Sequence, residues 1–348
     1  MRGAVILMNK ERVELRDFPV PCPGPGQVVL KVMASAICGS DLRAIYRRDA
    51  APEDPAEMYR NVICGHEPAG VVAEVGPGVV RFKQGDRVCV YHVTGCGVCR
   101  HCRQGTVISC QLARSAYGFQ RDGGMGEYLL AEEQSCMPLP DELSFEDGAL
   151  IACGAGTAYE ALLRAGVSGD DRVFITGLGP VGLAMGMIAQ KLGACQIIGV
   201  DISEERVGIA KRIGAVTDGL SAVGDEALRF VQEKTGGDLC EASFDCSGAT
   251  SARTLALRGT RRWGQCTLIG MGGRLEIDVD ELMVFKQLTI RSSWVTSLGH
   301  MEDLCGRAAR WGLHLDKMIT ERLPLGEIGN AYAIANAAQS GKVCIVPD

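Results

Sequence analysis

At 348 residues the chain exceeds what one hydrophobic core usually organises, so two domains are the default. A formal net charge of −6 argues against nucleic acid as the main partner. No apolar run reaches membrane-span length before charge or glycine interrupts it, and the apolar start of the chain is too short for a secretory signal. A cytoplasmic protein is therefore expected, with its 16 cysteines serving as thiols and metal ligands rather than disulfides.

In chain order, residues 1 to about 152 read as short strands with turn punctuation. An apolar opening strand is followed by Val28–Met33 after a Pro-Gly-Pro-Gly turn, then Gly70–Gly76 and Asp86–Val90. That spacing predicts a small β-barrel-like domain. From about 154 to 297 strands alternate with helices. The helix candidates are Pro180 to Leu192, Glu204–Ile213 and Asp225–Thr235; the strand candidates are Val173–Thr176, Ile197–Val200, Ala242–Cys246, Cys266–Ile269 and Leu288–Ser292. Such alternation means a doubly wound parallel sheet. The tail predicts helices at Met301–Trp311 and around Ile328–Gln339, and a closing strand at Lys342–Val346.

Within the alternating region, Gly177, Gly179 and Gly182 form a G-x-G-x-x-G loop. Three glycines mean little by themselves in a chain with 45 of them. Here they follow an apolar strand, Pro180 and Val181 open a helix after them, and Asp201 ends the next strand, which is the context a dinucleotide site requires. A carboxylate there accepts hydrogen bonds from an adenosine ribose and repels a 2′-phosphate, favouring NAD over NADP.

Cys96, Cys99, Cys102 and Cys110 fall within 15 residues, and four thiolates so spaced can enclose one tetrahedral zinc with no position left for chemistry. Compartment disfavours disulfides, and the spacing lacks the Cys-Pro of a bacterial iron–sulfur run. Cys38-Gly39-Ser40-Asp41 and Gly65-His66-Glu67 are weak signals taken one at a time.

Taken together with Gly85-Asp86-Arg87-Val88, Asp122-Gly123-Gly124-x-x-Glu127-Tyr128 and the glycine loop, the order of motifs resembles the zinc-dependent medium-chain alcohol dehydrogenases over essentially the full length. The resemblance implies an α/β protein: a GroES-like β-barrel catalytic domain, residues 1–153 and 298–348, interrupted by a Rossmann domain, 154–297. It also implies oxidation of an alcohol with hydride transfer to NAD. Two zinc ions per chain are implied, one structural and one catalytic, with Cys38, His66 and Cys153 as ligands of the catalytic one. Glu146 or Asp147 is the alternative third ligand. The resemblance places Glu67 beside that site, Asp41 behind His66, and Ser40 as the hydroxyl that carries the alcohol proton. Arg43 stands where many relatives finish the relay with a histidine, and a guanidinium cannot take up a proton. Implied cofactor contacts are Gly177, Gly179, Pro180, Val181, Gly182, Asp201, Arg206, Ile269 and Ser297. His92 and Tyr117 are expected to face the substrate, which implies a polar alcohol such as a polyol or sugar derivative. An amino alcohol of the threonine type and a catalytically silent zinc protein are the rival readings. A homodimer or homotetramer is expected.

Overall fold

The computed structural model describes residues 1–7, 10–47, 62–337 and 340–346. The chain forms two compact units, one of residues 1–156 and 296–348, the other of residues 157–295.

The first unit begins with an antiparallel hairpin, β1 (Arg2–Leu7) and β2 (Arg12–Asp17). Its main sheet uses β3 (Gln27–Ala36), β4 (Pro68–Val75) and β5 (Arg87–Val90). The short ribbon β6 (Val93–Thr94) and β7 (Ser115–Ala116) stands apart from it, and β8 (Tyr128–Glu132) and β9 (Cys136–Pro138) complete the N-terminal part. Val28, Leu30, Val72, Val88, Val90 and Leu129 are drawn from four strands and bury together, which fixes the register of those strands.

The second unit is a six-stranded parallel sheet. Its strands are β10 (Arg172–Thr176), β11 (Gln196–Asp201), β12 (Asp218–Ser221), β13 (Cys240–Asp245), β14 (Thr260–Leu268) and β15 (Thr289–Ser292), in the spatial order β12-β11-β10-β13-β14-β15. The apolar runs of β10 and β11 are buried nearly throughout, as strands covered on both faces must be. β14 starts six residues before the strand that periodicity predicts, with Trp263 held at φ 60° inside it. The helix Thr250–Arg258 connecting β13 to β14 was not predicted, because its apolar positions are few and its first turn is polar.

The chain then returns to the first unit through the helix Leu298–Trp311 and adds β16 (Ile319–Pro324) and β17 (Lys342–Val346). β17 pairs with β16 on one side and with β3 on the other, giving the sheet order β16-β17-β3-β4-β5-β9. The helix predicted around residues 328–339 runs Ile328–Asn336, and residues 338 and 339 lie outside the described residues. Among the described residues no helix is long and apolar enough to cross a membrane.

Candidate active site and cofactor cradle

In the first unit, Cys38 ends β3's continuation and opens a helical turn, Gly39–Asp41. Asp41 is fully buried and does two jobs: one carboxylate oxygen accepts the Cys38 N–H at 2.9 Å, the other the Nδ1–H of His66 at 2.8 Å. That bond fixes the His66 tautomer and leaves the Nε2 lone pair for a ligand. Cys153 arrives from a π-helical turn, Ile151–Ala155, and its Sγ stands 4.0 Å from Cys38 Sγ. Ser40 Oγ lies 3.3 Å from both Cys38 Sγ and His66 Nε2.

One donor atom from each of Cys38, His66, Glu67 and Cys153 lies within 4.8 Å of the others. Two thiolates on a tetrahedral zinc with bonds of ~2.3 Å stand about 3.8 Å apart, so the sulfur separation suits that ion. Glu67 is fully buried, and burial raises its carboxyl above the usual range while the neighbouring Lys342 ammonium opposes that rise. Lys342 Nζ is 2.6 Å from Glu67 Oε2, and Glu67 Oε1 has no hydrogen-bond partner among the described residues. A buried carboxylate with spare acceptors beside two thiols and an imidazole is what a cation site needs.

Cys96, Cys99, Cys102 and Cys110 also come together, with Cys96 and Cys102 sulfurs 3.9 Å apart and those of Cys99 and Cys110 4.0 Å apart. Backbone N–H groups of Ala113 and Cys96 point at the Cys110 sulfur and pull its thiol down to about 6. Such N–H···S bonds favour the thiolate a metal requires.

The acids are placed elsewhere. Asp147 accepts the backbone N–H of Ser144 and of Asp316, each at 2.9 Å, and Glu146 faces Arg322. Neither belongs to the cluster around Cys38.

His92 packs edge-on against His66, with ring centroids 5.1 Å apart, and its Nδ1–H donates to the Ala152 carbonyl at 2.9 Å. Burial lowers its pKa to about 4, so the ring is neutral and its Nε2 is an acceptor. Tyr117 departs from the sequence reading. It is fully buried with Val28 and Leu30 in the barrel core, and its hydroxyl accepts the Glu132 N–H at 2.9 Å. Phe119, two residues on, is the aromatic that packs on His66, at 5.3 Å. Between the two rings Gly118 adopts a left-handed backbone, at φ 77°.

In the second unit Gly177 lies at φ 92°, with Ser247 where its side chain would be. A Cβ on Gly182 would come within 2.0 Å of the Gly177 carbonyl, so only glycine lets the helix approach the strand. Gly179 caps the helix Pro180–Lys191, and Pro180 opens it, with Val181 half-buried in its first turn. Asp201 is engaged by the loop itself: one oxygen accepts the Leu178 N–H at 2.7 Å, the other the Ser203 N–H at 2.9 Å. Each oxygen keeps a further lone pair. Arg206 reaches to 4.0 Å from Asp201 with its Nε buried and without a hydrogen-bond partner. Ile269 follows β14 directly and is buried, whereas Ser297, in the first unit, caps the helix Leu298–Trp311 by accepting the His300 N–H. Lys342 is the site residue that sequence reading missed. A lysine opening a strand otherwise wholly apolar was the available signal.

Residues 24–141 match the alcohol dehydrogenase GroES-like domain and residues 180–310 the zinc-binding dehydrogenase domain. The chain belongs to the zinc-binding alcohol dehydrogenases. It is 45% identical over 347 residues to an uncharacterized zinc-type alcohol dehydrogenase-like protein of Escherichia coli (strain K12), covering 98% of each. It is 32% identical over 333 residues to the L-threonine 3-dehydrogenase of Pyrococcus horikoshii, covering 95% of this chain and 94% of that one. Among solved structures it resembles the 2R,3R-butanediol dehydrogenase from Bacillus subtilis, with a TM-score of 0.87 at 25% identity, covering 100% of this chain and 99% of that one. Membership in the zinc-binding alcohol dehydrogenases makes this an oxidoreductase acting on CH–OH donors.

Proposed function

We propose that this chain oxidises a small polar alcohol, a polyol or sugar derivative, with NAD as hydride acceptor and two zinc ions per chain. The observation that carries the reading is the group of two thiols and an imidazole, Cys38, Cys153 and His66, whose fourth neighbour, Glu67, is held by Lys342. Three ligands and an open position are the arrangement of a catalytic rather than a structural zinc. Such a zinc supplies a Lewis acid that makes an alcohol proton easier to remove. Cys96, Cys99, Cys102 and Cys110 are the ligands of the second ion.

The chain's own groups divide the remaining work. Asp41 orients His66 and Cys38 together. Ser40 Oγ, beside both ligands, is placed to receive the alcohol proton and pass it on. Arg43 cannot accept that proton, so the exit runs through water or a cofactor hydroxyl. His92 Nε2 accepts a hydrogen bond from a further substrate hydroxyl, while Phe119 supplies an apolar wall. Gly177, Gly179 and Gly182 admit a pyrophosphate to bare backbone at a helix N-terminus, and Asp201 and Arg206 contact the adenosine ribose.

A second reading, oxidation of an amino alcohol, is favoured by the likeness to L-threonine 3-dehydrogenases. Following NADH absorbance across polyols, sugars, amino alcohols and simple alcohols separates the two. The proposal falls if simple alcohols win by kcat/KM, or if no alcohol is turned over with NAD. A homodimer or homotetramer is proposed as well, supported by the exposed Trp263, Val284 and Phe285 on the second unit, near the exposed edge strand β15.

A further inference from the structure

In the second unit, β14 runs out into Gly270-Met271-Gly272-Gly273, a turn with three glycines in four residues. Gly272 and Gly273 sit at φ 108° and 48°. Glycine loses more backbone freedom on ordering than any other residue, so such a turn is expensive to hold in one shape. One side chain spans it. Arg253, from the helix Thr250–Arg258, donates from one terminal nitrogen to the Gly270 carbonyl at 2.7 Å and from the other to the Gly273 carbonyl at 3.0 Å.

The third nitrogen of that guanidinium points at Asp245 Oδ2, 3.4 Å away. Asp245 ends β13 with no exposed surface and gathers the adjoining loop. It accepts from the backbone N–H groups of Ser247 and Gly248 and from the hydroxyls of Ser247 and Thr176. Its backbone carbonyl takes the N–H groups of Ile269 and Gly270, both at 2.9 Å. These loops meet backbone to backbone: Ser247 lies against Gly177, and Gly248 against Gly270. A shift at residues 270–273 therefore reaches the Gly177 loop through Ser247 and Gly248.

All of these loops stand at the carboxyl ends of β10, β13 and β14, the edge at which a doubly wound sheet takes its ligand. We infer that Arg253 is a positioning residue for the dinucleotide. Tied to Asp245, it holds the glycine turn 270–273 in its binding shape before the cofactor arrives, so that binding does not bear the ordering cost. The inference rests on the proposed dinucleotide site and adds a residue the glycine motif does not contain. Arginine suits the place because its planar fork reaches two carbonyls and a carboxylate at once, which one ammonium cannot do.

The test is Arg253→Met, with Arg253→Lys as the conservative partner and as the variant to read if the methionine protein does not fold. Amide hydrogen exchange over residues 268–274 is measured without cofactor and with saturating NADH, and NADH and NADPH affinities are measured by fluorescence titration. In Arg253→Met, exchange in this segment should accelerate in the free protein and return towards the wild-type rate with NADH. The Kd for the cofactor should rise by about ten- to a hundredfold, and KM for NAD by a larger factor than kcat falls. Arg253→Lys should fall between. A variant with lowered Tm but wild-type Kd and wild-type exchange at residues 268–274 assigns Arg253 to fold stability alone and overturns the inference. Wild-type protein that prefers NADPH overturns the choice of NAD and leaves the comparison of variants decisive. Wild-type protein that binds neither nucleotide overturns both readings.

Discussion

Lys342 Nζ stands 2.6 Å from Glu67 Oε2, and both side chains are sealed from solvent, at 2% and 0% exposure. Burial disfavours the ammonium, yet the carboxylate beside it keeps it protonated. Removing one partner leaves the other charge buried and uncompensated, which costs about 3–5 kcal/mol. Lys342→Met should therefore lower unfolding free energy by that order, and Lys342→Met combined with Glu67→Gln should recover most of it. Denaturant unfolding of the two variants checks this, and a double variant no better than the single one would contradict the pairing.

Metal analysis should return two zinc ions per chain. Cys38→Ser should remove one and abolish turnover while leaving the fold, whereas Cys99→Ser should reduce stability or solubility, because a closed four-thiolate site contributes to folding. Equal behaviour of the two variants would show that the division between the sites is wrong.

Asp201 should set the cofactor preference. Asp201→Asn keeps the size and removes the charge facing a 2′-phosphate. The ratio of kcat/KM for NAD over NADP should fall at least about tenfold, some 1.4 kcal/mol. A ratio that does not move would show that Asp201 does not set the preference.

His92→Ala should harm oxidation of a polyol more than that of a simple monoalcohol, by about 1–3 kcal/mol for the unpaired hydroxyl. With its pKa at about 4, the ring is uncharged near neutrality, so this difference should be constant between about pH 6 and 9. An equal loss on every alcohol that shrinks at high pH would make His92 a proton acceptor instead.

Glu241 gives a pH signature of stability in the second unit. Burial pushes its carboxyl up, but hydrogen bonds from Arg172 outweigh that and bring it from 4.5 to about 2. A depressed folded pKa means stability that is present above the unfolded value and lost as pH falls through the folded one. Glu241→Gln should cost about 1–3 kcal/mol near neutrality, and the difference from wild type should shrink as pH falls from 4.5 towards 2. Parallel stability curves over that range would count against it.

What the sequence determines alone is what is local along the chain. Cys96 to Cys110 can close on one ion because their spacing leaves little choice, and the structure gathers all four. Gly177, Gly179 and Gly182 between an apolar strand and a helix are likewise legible, since the turn, the φ of 92° and the helix start arise from neighbouring residues. Pairings between distant strands are not legible in that way. Lys342 meets Glu67 only because β17 returns to pair with β3, which carries β4 on its other side. Tyr117, expected to face the substrate, is packed into the barrel core, and Phe119, beyond the left-handed Gly118, packs on His66 instead; neither placement is local to the motif. Arg253 is an ordinary polar helix residue in the sequence; only the packing of three glycine-bearing loops at one sheet edge brings two carbonyls and a buried carboxylate within reach of its fork.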